Sequence, residues 1–244
     1  MTLAKKLTLA GLAALAAFLL PACTSTLSGD EFAAEAPLVV SSSPLVSVSY
    51  SADYTQEGAL PFTCEVKMRS DGMIRRRYLW TDGQKGPQDV SIVVRDGRTA
   101  RIDAAGKAAE LEPSTAAMAQ FFARLIFDPG SVVDSADRTV LNSADGHPQY
   151  VYWLVLSDGL GVGECSVTAD PASRLWTGLR AAMADGSFEV VSTFPEYKVV
   201  GGVMFPARIV SSTDGGAPVR CTLHDIVINP ELPDDLFELP DNPG

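Results

Sequence analysis

From Pro44 onward the chain consists of short apolar or alternating segments separated by Gly, Asp and Pro turns. Such alternation is typical of antiparallel strands, because successive side chains of a strand point to opposite faces of its sheet. The pattern predicts twelve strands, at Leu45–Tyr50, Phe62–Met68, Ile74–Thr81, Val90–Arg95, Thr99–Asp103, Arg138–Leu141, Gln149–Leu156, Gly163–Thr168, Arg174–Met183, Phe188–Phe194, Val203–Val210 and Val219–Ile228. This pattern continues along the chain without a fixed-period repeat. It therefore indicates one mainly β domain over residues 44–244.

One internal segment has helical periodicity instead. Its apolar positions follow the spacing i, i+3, i+4 and i+7, at Met118, Phe121, Phe122 and Leu125. The spacing predicts a helix over Thr115–Ile126, with Ser114 as its N-cap and Asp128-Pro129-Gly130 as its stop. The apolar face indicates that the helix covers the sheet, either as the lid of an apolar cavity or as part of an ordinary core. A short helical turn is also predicted near the C-terminus, where Leu236, Phe237 and Leu239 would pin the end of the sheet.

The strand Gln149–Leu156 is apolar on both faces. One face carries Tyr150, Tyr152, Leu154 and Leu156, and the other carries Val151, Trp153 and Val155. This pattern predicts a sheet that is covered on both sides at this point, by the helix and by a barrel interior or ligand. A central strand of a sandwich or of a helix-covered core would give the same pattern. Tyr152 and Leu154 are therefore candidate ligand-binding residues.

The first 23 residues have the organisation of a secretory signal peptide. Lys5 and Lys6 precede the uncharged, mostly apolar stretch Leu7–Leu20. Its 14 residues, at about 1.5 Å each, are too short to span a hydrocarbon core of about 30 Å. Leu20-Pro21-Ala22-Cys23 resembles a bacterial lipobox, in which the cysteine thiol receives a diacylglycerol before cleavage; the alternative is an ordinary signal peptide with a chance cysteine.

This resemblance implies a signal peptide at residues 1–22, lipid attachment at Cys23 and a lipidated tether at residues 23–43. Thr24 stands where inner-membrane retention would favour Asp, so the expected location is the outer membrane of a bacterial envelope, facing the periplasm. Several acyl chains on one terminus make a firm membrane anchor, whereas one chain alone is marginal.

The charge of the chain is strongly negative. Lys and Arg number 19 and Asp and Glu number 30, which gives a formal net charge of −11. Such a charge repels phosphate backbones, so nucleic acid is not an expected partner. The composition, with 46% hydrophobic and 20% charged residues, is that of a globular protein and not of a disordered or fibrous one.

Few residues suggest catalysis. The chain has two histidines, His147 and His224, and neither belongs to a nucleophile elbow, a zinc-protease motif or a phosphate loop. His224 and Cys221 would lie on opposite faces of one strand, which is unsuited to a shared metal ion. We therefore predict no catalytic residue, no metal and no cofactor. The thiols of Cys64, Cys165 and Cys221 could form one disulfide with one thiol left over, or none.

Arg75-Arg76-Arg77 is a dense basic cluster within a predicted strand. Alternation places Arg75 and Arg77 on one face, with Arg69 near them across the intervening turn. They could bind an anion or a lipid headgroup at the mouth of a cavity. The alternative is cross-strand pairing with Glu65 or other acidic residues on a solvated face.

Two stretches near the C-terminus resemble a known family. They are Phe194-Pro195-Glu196-Tyr197-Lys198-Val199-Val200-Gly201-Gly202-Val203-Met204-Phe205-Pro206 and the ending from Asp225-Ile226-Val227-Ile228-Asn229-Pro230 to Leu232-Pro233-Asp234-Asp235-Leu236-Phe237-Glu238-Leu239-Pro240. Both are similar to stretches of the outer-membrane lipoprotein-sorting (LolA/LolB-like) superfamily. The resemblance implies a curved antiparallel sheet that forms a half-open β-barrel with a helical lid. It also implies an apolar cavity that holds acyl chains of lipids or lipoproteins.

Two functions are consistent with these patterns. The first is an envelope lipoprotein that binds lipid or lipoprotein acyl chains, with a possible part in lipoprotein sorting or transport; the second is a non-enzymatic tethered interaction domain whose barrel is filled by its own side chains. The receptor branch of the family touches the membrane with an apolar loop tip, which the loop Asp82–Gln88 lacks. For the first function the candidate ligand-binding residues are Met118, Phe121, Phe122, Leu125, Tyr152, Leu154, Arg75 and Arg77.

Overall fold

The structure is a computed structural model that describes residues 44–84, 86–144, 147–155, 162–173, 175–187 and 189–240. The expected signal peptide, the expected lipid attachment at Cys23 and the expected tether lie outside these residues. Within them, no helix has the length and apolar character needed to cross a membrane.

The described residues form thirteen strands of one curved antiparallel sheet that does not close on itself. The strands are β1 (Ser47–Gln56), β2 (Phe62–Arg69), β3 (Ile74–Asp82), β4 (Gly86–Arg95), β5 (Arg98–Asp103), β6 (Ala108–Glu110), β7 (Ala136–Ala144), β8 (His147–Leu154), β9 (Val162–Ala169), β10 (Trp176–Met183), β11 (Glu189–Val200), β12 (Val203–Thr213) and β13 (Val219–Ile228). Their spatial order is β6-β5-β4-β3-β2-β1-β13-β12-β11-β10-β9-β8-β7. The two halves of the chain are therefore joined where β1 pairs with β13. This architecture confirms the predicted fold class.

Several strand ends differ from the predicted ones, and β11 continues six residues beyond the predicted end Phe194, to Val200. β1 continues six residues beyond Tyr50, and its outward positions there are Ser51, Asp53 and Thr55. β4 begins at Gly86, so the hairpin after β3 is shorter than predicted. The three residues of β6 were not predicted, because Ala108–Glu110 has no apolar alternation.

Two consecutive helices connect β6 to β7: α1 (Pro113–Phe127) and α2 (Pro129–Asp134). The prediction that Ser114 caps α1 is wrong. The cap position is Glu112, without a side-chain hydrogen bond, and Pro113 occupies the first turn, where a missing N–H has no cost. The predicted stop is confirmed, since α1 ends before Asp128. The Asp128 carboxylate then caps α2 by accepting a hydrogen bond from the Ser131 N–H at 3.2 Å.

The two faces of the sheet have different surroundings. We call the face that carries the hydrophobic core the inner face, and the opposite one the outer face. In β3, Ile74, Arg76 and Tyr78 are buried on the inner face, whereas Arg75 and Arg77 alternate with them on the outer face. The core is one continuous cluster that includes side chains of α1, α2 and most strands.

The C-terminal segment packs on the outer face of β3 and β4. Residues Asp234–Phe237 form the predicted short helical turn, here a 3-10 helix, and Phe237 is completely buried. Arg75 donates a hydrogen bond to the Leu236 carbonyl at 3.1 Å, and Arg69 forms an ion pair with Asp234. The outer face of this half of the sheet is thus covered by the end of the chain.

Asn229 connects the end of β13 to the start of β1. Its side-chain oxygen accepts hydrogen bonds from the N–H groups of Val46 and Ser47, at 2.8 and 3.3 Å, and its amide nitrogen donates to the Pro44 carbonyl at 3.0 Å. Asn229 has a φ of 53°, in the left-handed region that Asn tolerates better than most residues. This residue of the C-terminal motif therefore stabilises the junction between the two halves of the sheet.

The other motif stretch forms the hairpin between β11 and β12. Gly201 and Gly202 have φ values of 57° and 81°, the backbone that a two-residue turn with this strand twist requires. The Tyr197 hydroxyl donates a hydrogen bond of 2.8 Å to the Trp176 carbonyl at the start of β10. Both motif stretches thus act on the fold and not on chemistry.

Candidate functional site

The apolar face of α1 lies against the inner face of the sheet. Phe121, Phe122 and Leu125 are only 6%, 3% and 0% exposed, and all belong to the core cluster. The two phenylalanine rings contact each other edge to face, with centroids 5.3 Å apart. Met118 belongs to the same helix, and the structure describes its backbone only.

The predicted strand residues Tyr152 and Leu154 belong to the same core. Both are buried on the inner face of β8, and the Tyr152 ring meets the Trp176 ring edge to face at 5.7 Å. The structure therefore brings the described apolar candidates into one core cluster.

The prediction that β8 is covered on both faces is wrong. Val151 and Trp153 on its outer face are only half-buried, and Val155, just after the strand, is 68% exposed. β8 is the last strand but one of the sheet, where a covering layer is not required. Trp153 is partly shielded by the Arg138 guanidinium, which lies 5.0 Å from the centre of its ring.

Arg76 is the one charged side chain among the buried residues of the described chain. It is 3% exposed on the inner face of β3, between the tyrosines of β1 and β3. Its Nε atom is buried without a hydrogen-bond acceptor, and it takes part in none of the ion pairs formed by the described residues. Burial opposes its charge, but Tyr78, Tyr50, Cys64 and Tyr54 raise the pKa of Arg76 above its ordinary value. The guanidinium therefore remains protonated inside the apolar layer.

The groups around Arg76 are neutral at physiological pH. Burial raises the pKa of Cys64 and of Tyr78 to about 12, although Arg76 lowers both. Burial likewise raises the pKa of Tyr50 and of Tyr54 well above the usual value of a phenol. Phenols and thiols of this kind can solvate a guanidinium but cannot neutralise it.

Sequence reasoning missed Arg76, although a signal for it was present. The same alternation that places Arg75 and Arg77 together also places Arg76 with Ile74 and Tyr78 on the apolar side of the strand. The prediction placed Arg75 and Arg77 on one face but assigned no role to Arg76, which lies on the other face.

Arg77 makes the cross-strand pairs that were the alternative to headgroup binding. Its guanidinium donates to both Asp89 oxygens, the shortest contact being 2.7 Å, and lies 3.4 Å from Glu65. Hydrogen bonding to Arg77 lowers the pKa of Asp89. Arg75 and Arg77 line a groove of about 440 Å³ on the outer face, away from the apolar cluster of α1.

The three cysteines of the described chain are buried and free. Cys64 and Cys221 lie on β2 and β13, the two strands that flank β1, opposite Ala52 and Tyr54. Two strand spacings of about 4.8 Å put their Cα atoms beyond the reach of a disulfide, which is about 7 Å. The sequence left open one disulfide or none, and the structure shows three free thiols.

His224 forms a small ionic cluster on the outer face. Its Nδ1 lies 2.8 Å from an Asp225 oxygen and its Nε2 lies 3.3 Å from an Asp53 oxygen. The hydrogen bond to Asp225 and the contact with Asp53 raise the pKa of His224. Cys221 is buried on the inner face, as the strand alternation predicts. Among the described residues, no group of three His, Cys, Asp or Glu side chains is arranged to hold a metal ion.

Comparisons with known proteins bear on the fold. No protein-family model and no curated protein matches the chain in sequence. A LolA superfamily protein of Nitrosomonas europaea is similar in structure, with a TM-score of 0.60 and 12% identity over 88% of this chain and 99% of the other. A DUF1329 family protein of Desulfovibrio piger has a TM-score of 0.55 and 12% identity over 81% and 91%. The chain therefore has a LolA-like fold, as the two motif stretches predict.

Proposed function

We propose that this protein is a lipid-binding lipoprotein of the bacterial envelope. In this proposal it is anchored in the outer membrane through Cys23, faces the periplasm and holds acyl chains of lipids or lipoproteins between α1 and the inner face of the sheet. The observation that carries the proposal is that α1 covers the inner face of the sheet. The sheet is unclosed, and α1 places three large apolar side chains on it without being part of it.

The apolar residues of the cluster have a defined role in this proposal. Phe121, Phe122, Leu125 and Met118 would move with α1, while Tyr152 and Leu154 would stay on the sheet and receive the chain. Each methylene transferred from water into such a layer contributes about 0.8 kcal/mol. A chain of twelve or more carbons could therefore offset the loss of the contacts between α1 and the sheet.

Arg75 and Arg77 have a different place in the proposal. Because they lie on the outer face, they could contact a headgroup only outside the space beneath α1. Their contribution would be to orient the protein on a lipid surface, and the pairs of Arg77 with Asp89 and Glu65 compete with it.

A role in lipoprotein sorting or transport is the finer part of the proposal. It is supported by the similarity to the fold of a LolA superfamily protein and by the lipobox-like N-terminus. No described residue suggests a reaction, so the protein is proposed to bind its ligand without converting it.

Binding of a fluorescent fatty acid to the purified protein tests the proposal. We expect saturable binding with one site per chain, weakened by Phe122→Ala. The matched control is Phe237→Ala, which removes an equally buried ring from the outer face and should leave binding unchanged. Absence of saturable binding, or equal weakening by both variants, would contradict the proposed site.

One observation favours the second candidate function, a tethered interaction domain whose core is filled by its own side chains. Leu125 is completely buried and Phe122 nearly so, which shows that the protein can fill the space beneath α1 itself. In that case the fatty acid would not bind, and truncation of Phe122 would only reduce stability.

A further inference from the structure

We propose that Arg76 is the counter-charge for an anionic headgroup, so that the space beneath α1 takes amphiphiles with a carboxylate or phosphate group in preference to neutral ones. This inference rests on the proposed function and specifies the ligand class of the same site. Its basis is a buried guanidinium on the inner face that no carboxylate of the described chain neutralises.

The burial of Arg76 is unusual for its charge. Isolated charges are costly in a protein interior, and buried arginines normally pair with a carboxylate. Here the side chain is 3% exposed, its Nε lacks an acceptor, and the outer-face ion pairs of Arg77 lie on the other side of the strand. Within the described chain, no carboxylate therefore pairs with Arg76, and Tyr78 is the side chain that hydrogen-bonds to it.

The position of Arg76 fits a ligand that enters the core. Its direct neighbours across β2 and β4 are Val66 and Ile92, both apolar. Tyr50 and Tyr78 lie on the same inner face. An amphiphile could thus place its oxyanion against the guanidinium and its chain against the apolar cluster of α1.

The guanidinium is chemically suited to this role. It presents several N–H donors in a plane and pairs with carboxylate or phosphate through two parallel hydrogen bonds. The neighbouring phenols can add single hydrogen bonds to the same oxyanion. A neutral hydroxyl headgroup would leave the charge unpaired.

Calorimetric titration with two probes of equal chain length tests the inference. At pH 8 the protein should bind dodecanoate at least about tenfold more tightly than dodecanol, the effect expected of a hydrogen bond to a charged group. Arg76→Gln should bind the two probes equally. The matched control is Arg180→Gln, which removes an arginine paired with Glu164 and Glu189 on the outer face and should keep the preference.

The outcomes separate this inference from the proposed function. If the protein binds both probes equally, or if Arg76→Gln keeps the preference, the role of Arg76 is overturned while lipid binding stands. If neither probe binds, both are overturned. A titration with inorganic phosphate tests an anion that has no alkyl chain. If phosphate binds as tightly as dodecanoate, the site binds free oxyanions, and the inference that it takes an amphiphile is overturned.

A measurement on the unmodified protein covers the case in which Arg76→Gln does not fold. The carbon-13 signal of carboxyl-labelled dodecanoate reports the pKa of the bound carboxyl group. Pairing with Arg76 should hold that pKa below its value in free dodecanoate, whereas burial in an apolar site without a counter-charge would raise it. A raised pKa would overturn the inference.

Discussion

At the scale of single residues, the two faces of the sheet use charge differently. On the outer face, charged side chains such as Arg77 and Asp89 form short pairs in contact with solvent, and pairs of this kind contribute little to stability. On the inner face, Arg76 alone is charged among the buried residues described. The outer pairs can be explained by cross-strand geometry, whereas no such pair explains the burial of Arg76, for which we propose an anionic ligand.

The cluster of His224, Asp225 and Asp53 predicts a pH dependence of stability. Because its pKa is raised in the folded state, protonated His224 contributes stability that is fully present below about pH 6.5, the ordinary pKa of histidine. This contribution is lost as the pH rises through the folded-state value. Since the imidazole is 40% exposed, we expect less than about 1 kcal/mol. Urea unfolding between pH 5 and pH 9 measures it.

The control for this prediction is His224→Gln, which should remove this part of the pH dependence. A His224 pKa at or below 6.5 in the folded protein, measured by NMR titration, would contradict the assignment.

At the scale of elements, α1 differs from the strands in how it is held to the sheet. Its N-cap residue, Glu112, makes no side-chain hydrogen bond, and the side chain of its C-cap residue, Asp128, caps α2 instead. Each central strand is hydrogen-bonded on both sides, whereas α1 is held to the sheet mainly by side-chain packing. Elements with such attachments can open without global unfolding.

Paired truncations compare the attachment of α1 with the rest of the core. Phe205 on β12 is completely buried, and Phe205→Ala should reduce the free energy of unfolding by about 3–5 kcal/mol. Phe122→Ala should cost less, because loosening α1 leaves the hydrogen bonds of the sheet intact. Chemical denaturation followed by a probe of the sheet measures both losses. Equal losses would indicate that α1 is an inseparable part of the core.

The elements differ in how well their sequence predicts them. The strand Val219–Ile228 was predicted with the observed limits, because apolar and polar side chains alternate from Val219 to Leu223 and the alternation matches their burial. The ends of β1 and β6 were missed, since their pairing depends on backbone hydrogen bonds and not on apolar contrast. α2 was missed for a related reason: six residues are too few to show helical periodicity.

The candidate site was predictable only in part. The spacing of Phe121, Phe122 and Leu125 gave the apolar face of α1, because helical periodicity is a local property. The separation of Arg75 and Arg77 from that face depends on where α1 and the C-terminal segment pack, which local patterns do not encode. The prediction that both faces of β8 are covered was wrong for the same reason, because the position of β8 near the edge of the sheet follows from the order of all thirteen strands.

At the scale of the whole molecule, the sheet is joined where β1 meets β13. Asn229 and Ser47 tie that junction, and the Ser47 hydroxyl donates to the Pro230 carbonyl at 2.7 Å. The N-terminal tether would therefore leave the domain beside this junction, at Pro44. In the proposed function, the same junction would connect the lipid anchor to the lipid-binding domain.

The predicted anchor can be tested on the full-length chain. Cys23→Ser should abolish incorporation of labelled palmitate and yield a soluble or unprocessed protein, because the thiol is the attachment atom. Fractionation of cells that express either form, with immunodetection, measures the change. The folded domain should be unaffected, with the same melting temperature. A cleaved, labelled and membrane-bound Cys23→Ser protein would contradict the assignment.

The central claim is that α1 and the inner face of the sheet enclose a lipid. Native mass spectrometry of the Cys23→Ser protein, which lacks the proposed covalent anchor and can be purified without detergent, measures this directly, with extraction and identification of any bound molecule. The account predicts a co-purifying amphiphile at one per chain, lost on Phe122→Ala and retained on Phe237→Ala. A protein whose native mass equals that of the polypeptide, with no extractable lipid and no uptake of added fatty acid, would contradict it.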